Sequence, residues 1–142
     1  MATTRTATTH WEGPLLDGGK GRVSLDSSGV GAFDVSWAAR TEQPGGLTSP
    51  EELIAAAHSS CFSMALSNGL AKAGHTDITL DTSADVTFQP GEGITGIHLT
   101  VHGGVPGLTA EQFVEFAEAA KAGCPVSKAL AATPITLEAS LA

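Results

Sequence analysis

The sequence predicts an α+β fold in which antiparallel strands surround a central buried helix, with a second, amphipathic helix beside them. Three observations point there. Two alanine-rich stretches each begin with a helix-capping pattern, two stretches near the middle alternate apolar and polar residues, and the first 45 residues are broken repeatedly by glycine and proline. The chain has 142 residues and no repeat or long linker, which fits a single domain spanning residues 1–142 that is large enough to bury a core without metal or disulfide support.

Taken in order, "GPLLDGGKG", "DSSGVG" and "EQPGG" separate short apolar runs at 23–25 and 30–37, which reads as a meander of short strands. Ser49-Pro50-Glu51-Glu52 then has the spacing of a capping box with proline at the first helical position. The Ala, Leu, Ile and Met residues that follow run to Gly74, and their apolar character on nearly every side predicts a helix covered on most of its surface. Leu80, Thr82, Ala84, Val86 and Phe88 alternate with Asp81, Ser83, Asp85 and Thr87, the period of a strand. After "QPGEG", Ile97, Leu99 and Val101 alternate with His98, Thr100 and His102, so the two strands form a hairpin. Thr109 to Gln112 is a second capping pattern, opening a helix that presents Phe113, Phe116, Ala117 and Ala120 on one face and stops at Gly123. A short helical turn, "PVSKALAA", and a last strand, "ITLEASL", close the chain.

Composition narrows the function. Seven basic residues against fifteen acidic ones give a formal charge of −8, which repels phosphate backbones and argues against a nucleic-acid partner. No apolar run approaches the ~20 residues of a membrane helix. The N-terminal "MATTRTATTHWEGP" lacks the apolar core of a secretion signal, so the expected location is the cytoplasm. In that reducing setting two cysteines read as thiols, inert or catalytic, rather than a permanent bridge.

Cys61 sits about ten residues inside the first long helix, too deep for the dipole of that helix to acidify it. Cys124 begins the short helical turn, where free backbone N–H groups favour a thiolate, and it extends the apolar stripe of the second helix inward. Free cysteine is also among the most commonly buried residue types, so residue type and spacing leave both a core role and a catalytic role open. His58 reads as a packed, hydrogen-bonded helix residue, and His98 and His102, without a third ligand, as exposed strand residues. Taken alone, Arg40 is a solvated loop charge. Glu51 and Glu52 both suit a first helical turn, with Glu52 the better cap partner.

The segments "SPEELIAAAHSSCFSMAL" and "KAGCPVSKAL", with "THWEGP" near the start and "ITLEASL" at the end, resemble the osmotically inducible protein C (OsmC) family, relatives of the organic hydroperoxide resistance proteins. The resemblance covers essentially the whole chain. It implies a thiol-dependent peroxidase acting on organic hydroperoxides, needing no cofactor and no metal, and reduced by a dithiol. It also implies an intertwined homodimer with active sites at the interface. In those terms Cys61 is the peroxidatic cysteine, Cys124 the resolving one and Glu51 the active-site carboxylate. Arg40 in "WAARTE" matches the arginine of the OsmC branch. In the Gly-rich loop where the hydroperoxide-resistance branch carries its arginine, this chain has Lys20, with Arg22 two residues on as the reserve candidate.

A guanidinium beside Cys61 favours the thiolate, and Glu51 holds the arginine fork. Phe62, Met64 and Leu66 make apolar surroundings suited to an alkyl peroxide. Cys61 is expected in the more enclosed helix and Cys124 at a mobile bend. Were residues 51 to 61 helical throughout, a rise of ~1.5 Å per residue would separate Glu51 from Cys61 by roughly 15 Å, so the helix start bends back or a partner subunit supplies Glu51. A non-catalytic dimer with inert thiols, binding apolar ligands or serving a structural role under stress, is the rival reading.

Overall fold

The computed structural model describes all residues, Met1–Ala142. The chain forms two compact units, residues 1–53 and 54–142. In the first, strands β1 (Thr8–Glu12), β2 (Lys20–Ser24) and β3 (Ala32–Ser36) form an antiparallel meander in the order β1-β2-β3. The expected strand run at 30–37 ends early: Trp37 turns into a short helix, α1 (Trp37–Thr41), capped by the Ser36 hydroxyl, which accepts from the Ala39 N–H. Arg40 therefore stands on a helix rather than in a loop. Sequence inspection misses this helix because five residues are too few to show a period.

Helix α2 (Pro50–Lys72) starts where the capping pattern predicts, with the Ser49 hydroxyl accepting from the Glu52 N–H at 3.2 Å. The reciprocal half of the box does not form, because the Glu52 carboxylate takes the Thr48 hydroxyl instead. At its other end Gly74, at φ +95°, lets the chain leave the helix while the His75 N–H returns to the Leu70 carbonyl.

The second unit pairs the remainder of α2 with a sheet ordered β4-β5-β6 and two further helices. β4 (Thr79–Gln89) and β5 (Gly93–Gly104) make the expected hairpin. After α3 (Ala110–Gly123) and α4 (Pro125–Ala129), β6 (Ile135–Leu141) joins β5 in parallel, Ile97 opposite Ile135. The expectation of antiparallel strands therefore holds for β1 to β5 and is corrected for β6. The two intervening helices carry the chain back to its starting end, as a parallel crossover requires, and alternation reports strand period but not direction.

The core of this unit joins Phe62, Leu66 and Leu70 of α2 to Leu99 and Val101 of β5 and to Phe113, Ala117 and Ala120 of α3. The Thr109 and Gln112 capping box opens α3 as predicted, with both reciprocal bonds made. Gly103 lies directly under the Phe113 ring, where an added Cβ would fall 2.5 Å from a ring carbon. On α2 the fully buried positions are His58, Phe62, Leu66 and Leu70, one stripe at intervals of four, while Ser60, Met64 and Asn68 on the opposite side are exposed. Beside that stripe Cys61, Ser63, Ala65 and Ser67 are partly covered, so within a single chain the side left open on this part of α2 is that of Ser60, Met64 and Asn68. No helix is long and apolar enough to cross a membrane.

Candidate functional site

The residues singled out from sequence fall into two pairs, one in each unit. In the first unit Arg40 donates from both Nε and Nη2 to a single carboxylate oxygen of Glu51, Oε1, at 2.9 and 2.8 Å. Glu51 is buried and Arg40 about a quarter exposed (side chains 9% and 28%), so this is a partly desolvated, charge-assisted contact rather than a surface pair. The guanidinium also lies 5.9 Å over the Trp37 ring. Glu51 Oε2 is buried with no hydrogen-bond partner, so half of the carboxylate's accepting capacity is unspent. Beside Arg40 is an apolar cleft of about 370 Å³, lined by Trp11, Val23, Val35, Trp37 and Leu53 among others.

The reserve candidates are elsewhere. Arg22 on β2 donates to Asp34 of β3 at 2.8 Å, with both side chains more than half exposed. Lys20, exposed on the same strand, stands opposite Glu12. Of the cations considered, Arg40 is the one joined to Glu51.

In the second unit the two thiols face one another. Cys61 and Cys124 are both free, Cys61 packs against the core cluster that contains Cys124, and each thiol acts on the other's acidity. Cys124 caps the end of α3, its N–H bonded to the Ala120 carbonyl at 2.8 Å, and Pro125 then starts α4. The first N–H groups of α4 have no partner inside so short a helix, and they favour thiolate at the sulfurs, that of Val126 at both thiols and that of Ser127 at Cys124. Burial pushes the Cys61 thiol up, and its hydrogen bond with Cys124 adds to this. Burial also acts upward on Cys124, but the bonds from Cys61, Ser127 and the α4 N–H groups outweigh it and bring Cys124 below its ordinary value. The Cys61 side chain is the larger lowering influence on Cys124, and the α4 start adds to it.

Two expectations are corrected here. Cys124 is not the freer thiol: it is fully buried, while Cys61 is only partly covered. A chain bend gives mobility only where nothing packs on it, and Cys124 packs into the core. Nor do Phe62, Met64 and Leu66 form one surface around Cys61. Phe62 and Leu66 belong to the core stripe, and Met64, 71% exposed, points to the other side of α2.

Two residues were undervalued. His58 is fully buried, and its Nε2 is 2.7 Å from the hydroxyl of Ser127, itself buried and one helical turn after Cys124 on α4. Burial holds His58 below its ordinary value, so it stays neutral. His58 was legible as inward-facing from its place four residues before Phe62, but Ser127 carried no local signal. His98 and His102 on β5 bond hydroxyls across the parallel register, Nδ1 of each to Thr136 at 2.7 Å and to Ser140 at 2.9 Å.

Comparison with known proteins is consistent in direction. The model of the family described as OsmC-like protein matches residues 43–140. The chain is 46% identical over 135 residues to peroxiredoxin OsmC of Escherichia coli K12, covering 93% of this chain and 92% of that protein. Among solved structures, an organic hydroperoxide resistance protein from Elizabethkingia anophelis is similar over 100% of both chains, with 27% identity and a TM-score of 0.67. An organic hydroperoxide resistance protein from Legionella pneumophila shares the fold at 23% identity and a TM-score of 0.71, over 99% of this chain and 98% of that one.

Proposed function

The chain belongs to the OsmC-like family, and on that premise we propose that it is a cysteine-based peroxidase that reduces organic hydroperoxides to alcohols through Cys61 and Cys124. The observation that carries the reading is the facing of two free thiols at the start of α4. The Cys61 thiolate attacks the terminal peroxide oxygen, the O–O bond breaks, the alkoxide leaves and is protonated to the alcohol, and Cys61 becomes a sulfenic acid. The Cys124 sulfur then attacks the Cys61 sulfur, the S–O bond breaks, and hydroxide leaves as water. An external dithiol reduces the resulting disulfide, so the two cysteines supply and recover both electrons without a cofactor. Such recovery suits a reducing cytoplasm.

Access supports Cys61 as the attacking thiol, because Cys124 is fully buried. Its protonation is the obstacle, since burial raises Cys61 and a cation is needed to lower it. Arg40, fixed by Glu51, is the cation proposed. Residues 51 to 61 are helical throughout, so the rise of about 1.5 Å per residue puts Glu51 and Cys61 roughly 15 Å apart on one chain. The reading therefore includes a homodimer in which the partner subunit's Arg40 and Glu51 serve Cys61, and in which the exposed side of α2 is covered. The apolar cleft beside Arg40 favours the alkyl group of an organic hydroperoxide.

Intact mass after one equivalent of an alkyl hydroperoxide tests this. The native chain loses two hydrogens, the Cys124→Ser chain gains one oxygen that a dimedone-type probe traps, and the Cys61→Ser chain does not change. An oxygen gained by Cys61→Ser reverses the roles. No change in any of the three leaves two inert thiols and a non-catalytic dimer.

A further inference from the structure

We propose that His58 and Ser127 form a buried positioning pair for Cys124, the His58 ring holding the Ser127 hydroxyl so that it donates to the Cys124 sulfur. The proposal rests on the two-thiol reading above and assigns to its second step a set of residues outside the two cysteines and the Arg40–Glu51 pair.

The argument is one of proton counting. Ser127 Oγ has one proton and two groups that can take it, His58 Nε2 at 2.7 Å and, one helical turn back on α4, the Cys124 sulfur, whose thiolate the hydroxyl favours. All three groups are buried, so water does not complete the count. If the Ser127 hydroxyl donates to Nε2, the ring proton must sit on Nδ1, which is buried and has no partner, and an N–H would be stranded there. If instead Nε2 carries the proton, it donates to Ser127 Oγ, the Ser127 hydroxyl donates to sulfur, and Nδ1 is left with only an unused lone pair. The second arrangement matches every donor with an acceptor, and a buried unmatched donor is the rarer and costlier defect. Burial supports it by keeping His58 neutral, so that the ring donates without taking the Cys124 proton.

The consequence is chemical. A hydroxyl whose orientation is fixed by a ring N–H stabilises the thiolate better than one free to rotate, and it joins the Val126 and Ser127 backbone N–H groups already aimed at sulfur. Apart from His58, acting through Ser127, the titratable group facing Cys124 is Cys61. Cys124 otherwise belongs to the apolar core cluster that includes Phe62 of α2 and Ala117 and Ala120 of α3. The pair therefore keeps Cys124 ready as the nucleophile that closes the disulfide: its sulfur bonds the Cys61 sulfur, the S–O bond of the sulfenic acid breaks, and the departing hydroxide takes up the proton that Cys124 gave.

The test uses Cys61→Ser as parent, so that only Cys124 titrates as a thiol, and follows thiolate absorbance near 240 nm as pH is varied. Adding Ser127→Ala, which deletes a single oxygen, moves the thiolate midpoint upward and lowers the thiolate fraction at a fixed pH below it about tenfold. His58→Leu moves it in the same direction, and His58→Gln, whose amide N–H can still meet Ser127, restores most of the loss. In the two-cysteine protein, Ser127→Ala lengthens the sulfenic acid lifetime about threefold, because a tenfold smaller thiolate fraction is partly offset by the greater nucleophilicity of a more basic sulfur. If the Ser127→Ala titration superimposes on that of its parent, the proposal is overturned. If no variant forms a sulfenic acid, the peroxidase reading fails instead, and the titration still decides the role of the pair.

Discussion

Removing the Arg40 side chain tests whether the Arg40–Glu51 contact is a built feature or a chance surface pair. Two donors converge on one oxygen of a carboxylate whose side chain is 9% exposed, and its second oxygen already has no partner. Arg40→Ala therefore leaves a buried carboxylate without its two arginine donors. Breaking a fully buried ion pair from one side costs about 3–5 kcal/mol, whereas an exposed pair contributes about 0–1 kcal/mol. With the arginine 28% exposed and water able to reach part of the gap, a loss of about 2–3 kcal/mol is expected. Arg40→Lys keeps the charge but loses the fork and the stacking on Trp37, and should recover about half of that loss. Arg22→Ala is the control: its pair with Asp34 is 59% and 56% exposed, and its removal should cost less than about 1 kcal/mol. Urea unfolding at neutral pH and one fixed protein concentration gives the numbers, the midpoint moving by roughly 1–2 M for Arg40→Ala at an ordinary slope. The reasoning fails if Arg40→Ala unfolds within about 0.5 kcal/mol of the native chain, or if Arg22→Ala loses as much.

Two further outcomes follow from the second unit. Gly103→Ala drives a methyl to within 2.5 Å of the Phe113 ring and should destabilise by about 1–3 kcal/mol, a loss that Phe113→Leu reduces rather than adds to; strictly additive losses in a double-mutant cycle would refute the contact. His58 has a native pKa below its ordinary value near 6.5, so the unfolded chain binds the extra proton first. Its contribution to stability is complete above about 6.5 and is lost as pH falls from there towards the lowered native value. His58→Gln should flatten the dependence of the urea midpoint between pH 7.5 and 5.5, and a profile parallel to the native one would count against a neutral buried ring.

What could be read from the sequence was whatever is encoded within a few neighbouring residues. Both long helices begin at their capping patterns and end at their glycines, because a cap is a contact between residues three apart. The inward aim of Cys124 was legible for the same reason, as one more step along the stripe of α3. The direction of β6 was not legible, since it depends on how far two helices carry the chain. The partner of Arg40 was suggested only by resemblance, because an ion pair between residues 11 apart has no pattern of its own. The link between His58 and Ser127 spans 69 positions and joins two residue types that are common in helices, so nothing local marked it.

The two sulfurs divide acidity and access between them, and that division orders the chemistry proposed here. Cys124 carries the hydrogen bonds that favour a thiolate but is fully buried, so a peroxide cannot meet the better-prepared sulfur first. Cys61 is partly exposed but its thiol is pushed up by burial and by its neighbour, so the proposed cycle brings a cation to it. In the proposed cycle the sulfenic acid on Cys61 is an electrophile packed against the cluster that holds Cys124, so burial of Cys124 does not keep it from this target. A thiol pair with these properties exchanged would expose its acidic member to any oxidant and leave the other unable to close the bond. Access and acidity thus fall on different sulfurs, and the proposed cycle uses Cys61 for its access and Cys124 for its readiness to close the disulfide.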